Sequence, residues 1–139
     1  MNITPKITPP RITKLEPNQI FVFGSNERGI HGKGAALQAK QKFGARQGVG
    51  VGRSGNTYAI PTKDEHIKTL PLRVIADYIA EFLRYAVTYP ELEFLVTQVG
   101  CGLANWTPAQ IAPLFFRHEI PNNVSLPNEF WLAGNNYEQ

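Results

Sequence analysis

What the sequence has little of narrows it first. One cysteine, Cys101, stands alone in 139 residues, so no intramolecular disulfide can form. That suits a reducing compartment, and a cytoplasmic location is the expectation. Histidine is scarce too. His31, His66 and His118 lie far apart and the cysteine has no partner, so no zinc site is expected. Nothing calls for a cofactor. The net charge is only +3 and no basic stripe is present. That leaves room for an anionic ligand without announcing a nucleic-acid surface. No apolar run approaches membrane-spanning length, so no membrane partner is expected. The opening stretch MNITPKITPPRITKLEP lacks the apolar core of a signal peptide. It reads as a proline-punctuated extended arm, residues 1–17. No internal repeat is evident, and no lysine follows a glycine pair at the P-loop spacing.

What is present fits one soluble domain. Hydrophobic residues make up 42% and charged residues 18%, and the length can bury a core without staples. Ile20–Phe23 is an apolar run bounded by Asn18 and Gly24, a buried strand. A helix of small residues opens at Gly32–Gly34 and ends near Phe43–Gly44. Thr57–Ile60 is a second strand, stopped by Pro61. Pro71 opens the strongest helix: Leu72, Ile75, Ile79, Phe82 and Ala86 recur at helical spacing, with Arg73, Asp77, Glu81 and Arg84 on the wet side. Pro90 ends it. Glu93–Val99 is a third strand. Thr107–Pro108 then starts a helix running to about Arg117. Val124–Leu126 adds a short strand. Strands alternating with helices argue a layered α/β domain over residues 18–132, with 133–139 as a frayed tail.

In such sheets ligands bind beyond the carboxyl ends of strands. Three turns follow the strand ends: Gly24 to Gly34, Pro61 to Asp64, and Gly100 to Asn105. They hold most of the unusual residues and are taken together as one site. Nine of the twelve glycines lie between positions 24 and 55, which points either to special backbone angles or to close approach of a ligand. Gly50, Gly52 and Gly55 satisfy G-x-G-x-x-G, but a strand follows them where the dinucleotide fingerprint needs a helix. A flexible glycine hairpin is the reading there. Gly32–Lys33–Gly34 is either a phosphate site at a helix start or a plain tight turn. Asn26 caps a turn or fixes a ribose hydroxyl. Gly100–Cys101–Gly102–Leu103 can turn its amides into an anion nest. Cys101 within it is more often a small buried spacer than a nucleophile, because no base or cation beside it is visible. Lys63 is a surface charge, a phosphate contact or an amine nucleophile.

Taken together, these stretches resemble a macrodomain. The likeness is closest to the branch of terminal ADP-ribose protein glutamate hydrolases and DNA ADP-ribosyl glycohydrolase antitoxins. GKGAALQAK (Gly32–Lys40) resembles its first ligand loop and helix, YAIPTKD (Tyr58–Asp64) its strand-plus-lysine segment, and QVGCGLANW (Gln98–Trp106) its diphosphate loop. The likeness covers about residues 20 to 118. The chain also resembles uncharacterised bacterial and phage proteins of the same arrangement. The resemblance implies a three-layer α/β/α fold with a central mixed sheet. It implies binding of ADP-ribose, or of ADP-ribosylated protein or nucleic acid. The contacts would come from Gly24, Ser25 and Asn26, from Gly32, Lys33, Gly34 and Ala35, from Thr62, and from Gly100, Cys101, Gly102, Leu103, Ala104 and Asn105. Lys63 matches the lysine that attacks the distal ribose. The assisting aspartate of the family falls on Ala104, a departure that puts hydrolysis in question, with Asp64 and His31 as substitute acid or base. The alternatives are a non-enzymatic ADP-ribose module and a phage-related interaction protein with an idle pocket. Oligomeric state is left open.

Overall fold

The computed structural model describes residues 4–137, with the side chains of 135–137 left out of the description. Five strands form one sheet in the order β2-β3-β1-β4-β5. The strands are β1 (Gln19–Asn26), β2 (Gly52–Ser54), β3 (Thr57–Lys63), β4 (Glu93–Val96) and β5 (Val124–Ser125). The helices are α1 (Gly34–Lys42), α2 (Leu72–Thr88), α3 (Pro108–Phe116) and α4 (Asn128–Tyr137). β1 pairs in parallel with β3 and β4, β4 pairs in parallel with β5, and β2 is antiparallel to β3, so the sheet is mixed.

Side chains alternate across a strand, and the alternation builds two cores. Ile20, Val22, Tyr58, Ile60, Phe94 and Val96 face a large cluster with Ile75, Ile79 and Phe82 of α2, Ile111 and Phe115 of α3, and Phe130 of α4. Phe21, Phe23, Ala59 and Leu95 face the other way, onto Ala36 and Ala39 of α1 and onto Ile12. Helices therefore cover both faces, in three layers. The alanines of α1 let that helix lie close to the phenylalanines of β1. The capping signal at Thr107 holds: its amide donates to Gln110 Oε1 at 3.0 Å, and α3 starts at Pro108.

Four expectations need correction. Pro61 does not stop β3, which runs on to Lys63. β2 pairs only as far as Ala59, so beyond it β3 is an edge on that side, where a residue without N–H is tolerated. β4 ends at Val96 rather than Val99, because Val99 N donates to Thr97 O at 2.7 Å and turns the chain. The glycine hairpin contains a short strand of its own, β2, which turns into β3 at Gly55 and Asn56. The tail from residue 133 is not frayed as far as it is described: α4 continues to Tyr137, while 138–139 lie outside the described residues. Packing overrides weak local propensity there. Phe130 is fully buried beside Phe115, Trp131 meets Phe116 edge-on, and Gly134 sits against the Phe116 ring with no room for a β-carbon.

The arm is extended and tied down where it is described. Ile7 bridges Leu126 in parallel, Thr8 N donates to Leu126 O at 2.9 Å, and Trp131 Nε1 donates to Lys6 O at 2.8 Å. Farther along, Gln38 Nε2 of α1 donates to Ile12 O at 2.6 Å.

Candidate functional site

The three turns singled out from sequence converge. β1 is the middle strand, flanked by β3 and β4, so the loops leaving these strands are neighbours. They surround one cleft of about 620 Å³. Its floor is the strand ends themselves. A β-carbon built on Gly24 would lie 3.4 Å from the Gly100 nitrogen and 3.5 Å from Thr62 Oγ1, and Thr62 Oγ1 donates to Ser25 O at 3.3 Å. One wall is the β1–α1 loop on the α1 side of the sheet. The other is made by the loops leading to α2 and α3 on the opposite side. That second wall is stapled: Thr69 Oγ1 donates to Ala104 O at 3.1 Å, and Trp106 Nε1 donates to Leu70 O at 3.1 Å.

Gly24, Ser25, Asn26, Gly32, Lys33, Gly34, Ala35, Thr62, Lys63, Gly100, Cys101, Gly102, Leu103 and Ala104 all line this cleft. The backbone around it is rich in unused donors. Among the described residues, no protein acceptor takes the amides of residues 32–36, nor those of Gly100, Gly102, Leu103 and Ala104. The first group opens α1, whose initial amides have no helical partner. Of the described charged residues only Lys33 and Lys63 line the cleft, and none of the described carboxylates does. Lys63 is half-buried, and Glu27 N donates to its carbonyl at 2.9 Å, just past a register shift between Ser25 and Asn26. Glu27 is in turn held by the hydroxyl of Tyr78 on α2. Burial first, and then the Glu27 carboxylate, push that phenol up to about 12.

The two substitute acid–base candidates are not brought into the cleft. The side chain of Asp64 faces its own loop, where Oδ1 accepts from the amides of His66 at 2.8 Å and Lys68 at 3.0 Å. The Lys68 amide in particular keeps its carboxyl below the usual range. This is an Asx-type cap on the 64–68 turn. His31 is fully buried, edge-on to Phe23 at 5.2 Å between ring centroids, with Nε2 donating to Val49 O at 3.0 Å. Burial holds the imidazole below its ordinary value, so the ring is neutral. Its backbone amide donates to Gln47 Oε1 at 3.2 Å. His31 thus fastens the β1–α1 loop to the 46–50 loop. Asn26 does the same work within the loop: Nδ2 donates to Ile30 O at 2.8 Å and Oδ1 accepts from Ile30 N at 3.0 Å. Of the two roles open to it from sequence, turn capping is the one observed. Ser25 Oγ donates to Gly50 O at 2.5 Å. Gly50 sits against the Asn26 carbonyl with no space for a side chain, so the glycine run supports the first ligand loop from behind. Asn105 is exposed, in a left-handed conformation at φ 67°, and does not line the cleft. Cys101 is half-buried; Sγ lies 3.5 Å from Val99 O, and burial pushes the thiol up to about 11.

Sequence reasoning missed four apolar contributors: Ile30, Ala36, Ile67 and Val99. Ile30 and Ile67 are 37% and 40% exposed, while Ala36 and Val99 are buried. Of the exposed large hydrophobics on the lining among the described residues, only Leu103, 60% exposed, was expected at the site. Among the described residues no group of three or more potential ligands is placed to hold a metal ion. No helix there is long and apolar enough to cross a membrane.

Set against protein-family models, curated proteins and solved structures, the chain matches none.

Proposed function

We propose that the cleft binds ADP-ribose or an ADP-ribosyl derivative, with the diphosphate received by the two amide-rich loops. One observation carries the reading: unpaired backbone donors from residues 32–36 and from Gly100, Gly102, Leu103 and Ala104 border the same cleft, on adjacent strand ends. A diphosphate asks for several N–H groups and little side-chain bulk, and backbone donors supply both without rearrangement. The charge balance agrees, since Lys33 and Lys63 line the cleft and no acid among the described residues does. A volume of about 620 Å³ lies within the ordinary range for small-molecule sites. The macrodomain-like order of the three segments adds to this reading from the sequence side. An ADP-ribosyl group carried on protein or nucleic acid would reach the site through its open mouth.

Hydrolysis is a second reading, favoured by Lys63, which lines the cleft and matches the reactive lysine of the hydrolases that the sequence resembles. Against it stand Ala104 in the acid's place and the removal of His31 and Asp64 to structural duties. A general acid or base is worth roughly 10²–10⁴-fold in rate, so its absence leaves binding intact and turnover slow. Binding is therefore the conclusion, and a non-enzymatic module is the form of it that the side chains favour.

The test is an NMR titration of the ¹⁵N-labelled chain with ADP-ribose. Amides of residues 32–36 and 100–104 should shift together, and saturably. Shifts confined to other loops, or none at millimolar ligand, would remove the reading.

A further inference from the structure

The net charge of +3 conceals an uneven distribution. From Arg28 to Lys63 the chain holds seven of its fourteen lysines and arginines and none of its eleven carboxylates. Neutral residues separate these cations, so no run of them stands out in the sequence. The fold gathers several of them. α1 and the turn after it carry Lys40, Lys42 and Arg46, all exposed. Ala45 N donates to Ala39 O at 3.1 Å, which brings Arg46 back against the end of the helix. The arm adds Arg11 and Lys14, also exposed. The bond from Gln38 Nε2 to Ile12 O holds the arm alongside α1, and Arg11, Gln38 and Lys42 line one cavity there. Glu129 is the one described carboxylate on that lining. Among the described residues no lysine or arginine has a carboxylate oxygen within 4.0 Å, so ion pairing does not neutralise these five charges. On the other face of the sheet, α2 mixes Arg73 and Arg84 with Asp77 and Glu81.

We infer that the α1 face, together with Arg11 and Lys14 of the arm, docks onto the sugar-phosphate backbone of duplex DNA. This inference stands apart from the ligand proposed for the cleft. A face carrying cations of one sign draws in a polyanion and releases its counterions. Gln41 and Gln47, both exposed, stand among the cations. Their amides suit phosphate and sugar oxygens, contacts that position a protein without reading sequence. An anionic membrane would ask for apolar side chains to bury at its interface. Among the described residues, α1 and the 43–49 loop expose no large hydrophobic one. A single strand would ask for aromatic platforms on which bases stack. Tyr89 at the end of α2 is the one exposed Phe, Tyr or Trp among the described residues, and it is not on this face. The wide major groove of B-form DNA admits a helix, whereas that of A-form RNA is too narrow for side chains to read. Duplex DNA is the partner that the face fits.

The test is fluorescence anisotropy of the full chain on a labelled DNA duplex of about 20 base pairs over a salt series. With four or five phosphates neutralised, log affinity should fall against log salt with a slope of about −4, or about 250-fold from about 50 to about 200 mM. Lys40→Gln with Lys42→Gln should lower the slope by about 2 and weaken binding more than about tenfold at the low-salt end. Arg73→Gln with Arg84→Gln makes the same change of net charge on the opposite face and should leave affinity within about twofold. Arg46→Gln, outside any helix, is an independent variant and should lower the slope by about 1. All five positions are exposed, and unfolding midpoints check that each variant is folded. Equal losses from the α1 pair and the α2 pair would mean that net charge alone acts, and would overturn the face. No duplex binding at about 50 mM salt would overturn it too. So would tighter binding of a single strand or of duplex RNA, or retention by phosphatidylserine vesicles in place of the duplex.

Discussion

The Gly100 nitrogen lies 3.4 Å from where a β-carbon on Gly24 would sit, although 76 residues separate the two in the chain. The contact joins the end of β1 to the loop after β4 and makes the floor of the cleft continuous. It also separates two kinds of glycine requirement, one for the fold and one for the ligand.

Gly100→Ala tests the first. Gly100 has φ 78°, and an added β-carbon would lie 2.9 Å from Ile111 Cδ1 in the core. The substitution should destabilise by about 1–3 kcal/mol in urea unfolding. A midpoint equal to that of the wild type would contradict this geometry.

Gly102→Glu tests the second. No heavy atom lies within 4 Å of a β-carbon there, so stability should change by no more than about 0.5 kcal/mol. A carboxylate beside the proposed diphosphate should nevertheless weaken ADP-ribose by more than about tenfold in calorimetry. Unchanged affinity in a folded variant would place the anion elsewhere.

Lys63→Ala separates binding from turnover. If the amine reacts, release of ADP-ribose from ADP-ribosylated protein or DNA should be slow in the wild type and at background in the variant. Equal release by both ends the catalytic reading and leaves the binding module.

Cys101 should behave as an unreactive thiol. With its value pushed up to about 11, the thiolate is roughly three parts in ten thousand at pH 7.5. Alkylation by iodoacetamide should therefore be slow at that pH and rise about tenfold per pH unit above it. Cys101→Ser should still bind ADP-ribose. Rapid labelling at neutral pH would mean that the thiol is activated after all.

The His31 contribution has a defined sign. Burial lowers its value in the folded state, so the unfolded chain takes up a proton first as pH falls. Stability is full above the ordinary imidazole value of about 6.5. It declines below that, with a limiting slope of about 1.4 kcal/mol per pH unit until the folded value is reached. Unfolding midpoints measured from pH 7.5 to 5 should show this decline, and His31→Phe should flatten it. A wild-type curve that stays level across that window would sink the assignment.

The sheet was legible because strands β1, β3 and β4 each carry an apolar run, and α2 displays its buried face at helical spacing. The cleft was legible because glycines and small residues cluster after three strand ends. What could not be read was direction. Nothing local says that His31 turns inward onto Phe23, or that Asp64 folds back onto the amides of 66 and 68; both depend on neighbours that the fold supplies. The apolar lining at Ile30 and at Ile67, whose φ is 63°, was hidden for the opposite reason. An isoleucine in a loop looks like stray surface until a left-handed backbone and a stapled wall aim it at a cavity. The whole of α4 went unread, since its helical state depends on packing against Phe115 and Phe116 of another helix.

The Ile7–Leu126 bridge has a consequence for handling the protein. It pairs the arm with the chain just past the outermost strand of the sheet, and Lys6 adds two more acceptor contacts there, from Leu126 N and Trp131 Nε1. Trimming the first dozen residues would bare that border and offer its backbone to a stranger's chain. A shortened form should self-associate more strongly than the full chain in sedimentation runs.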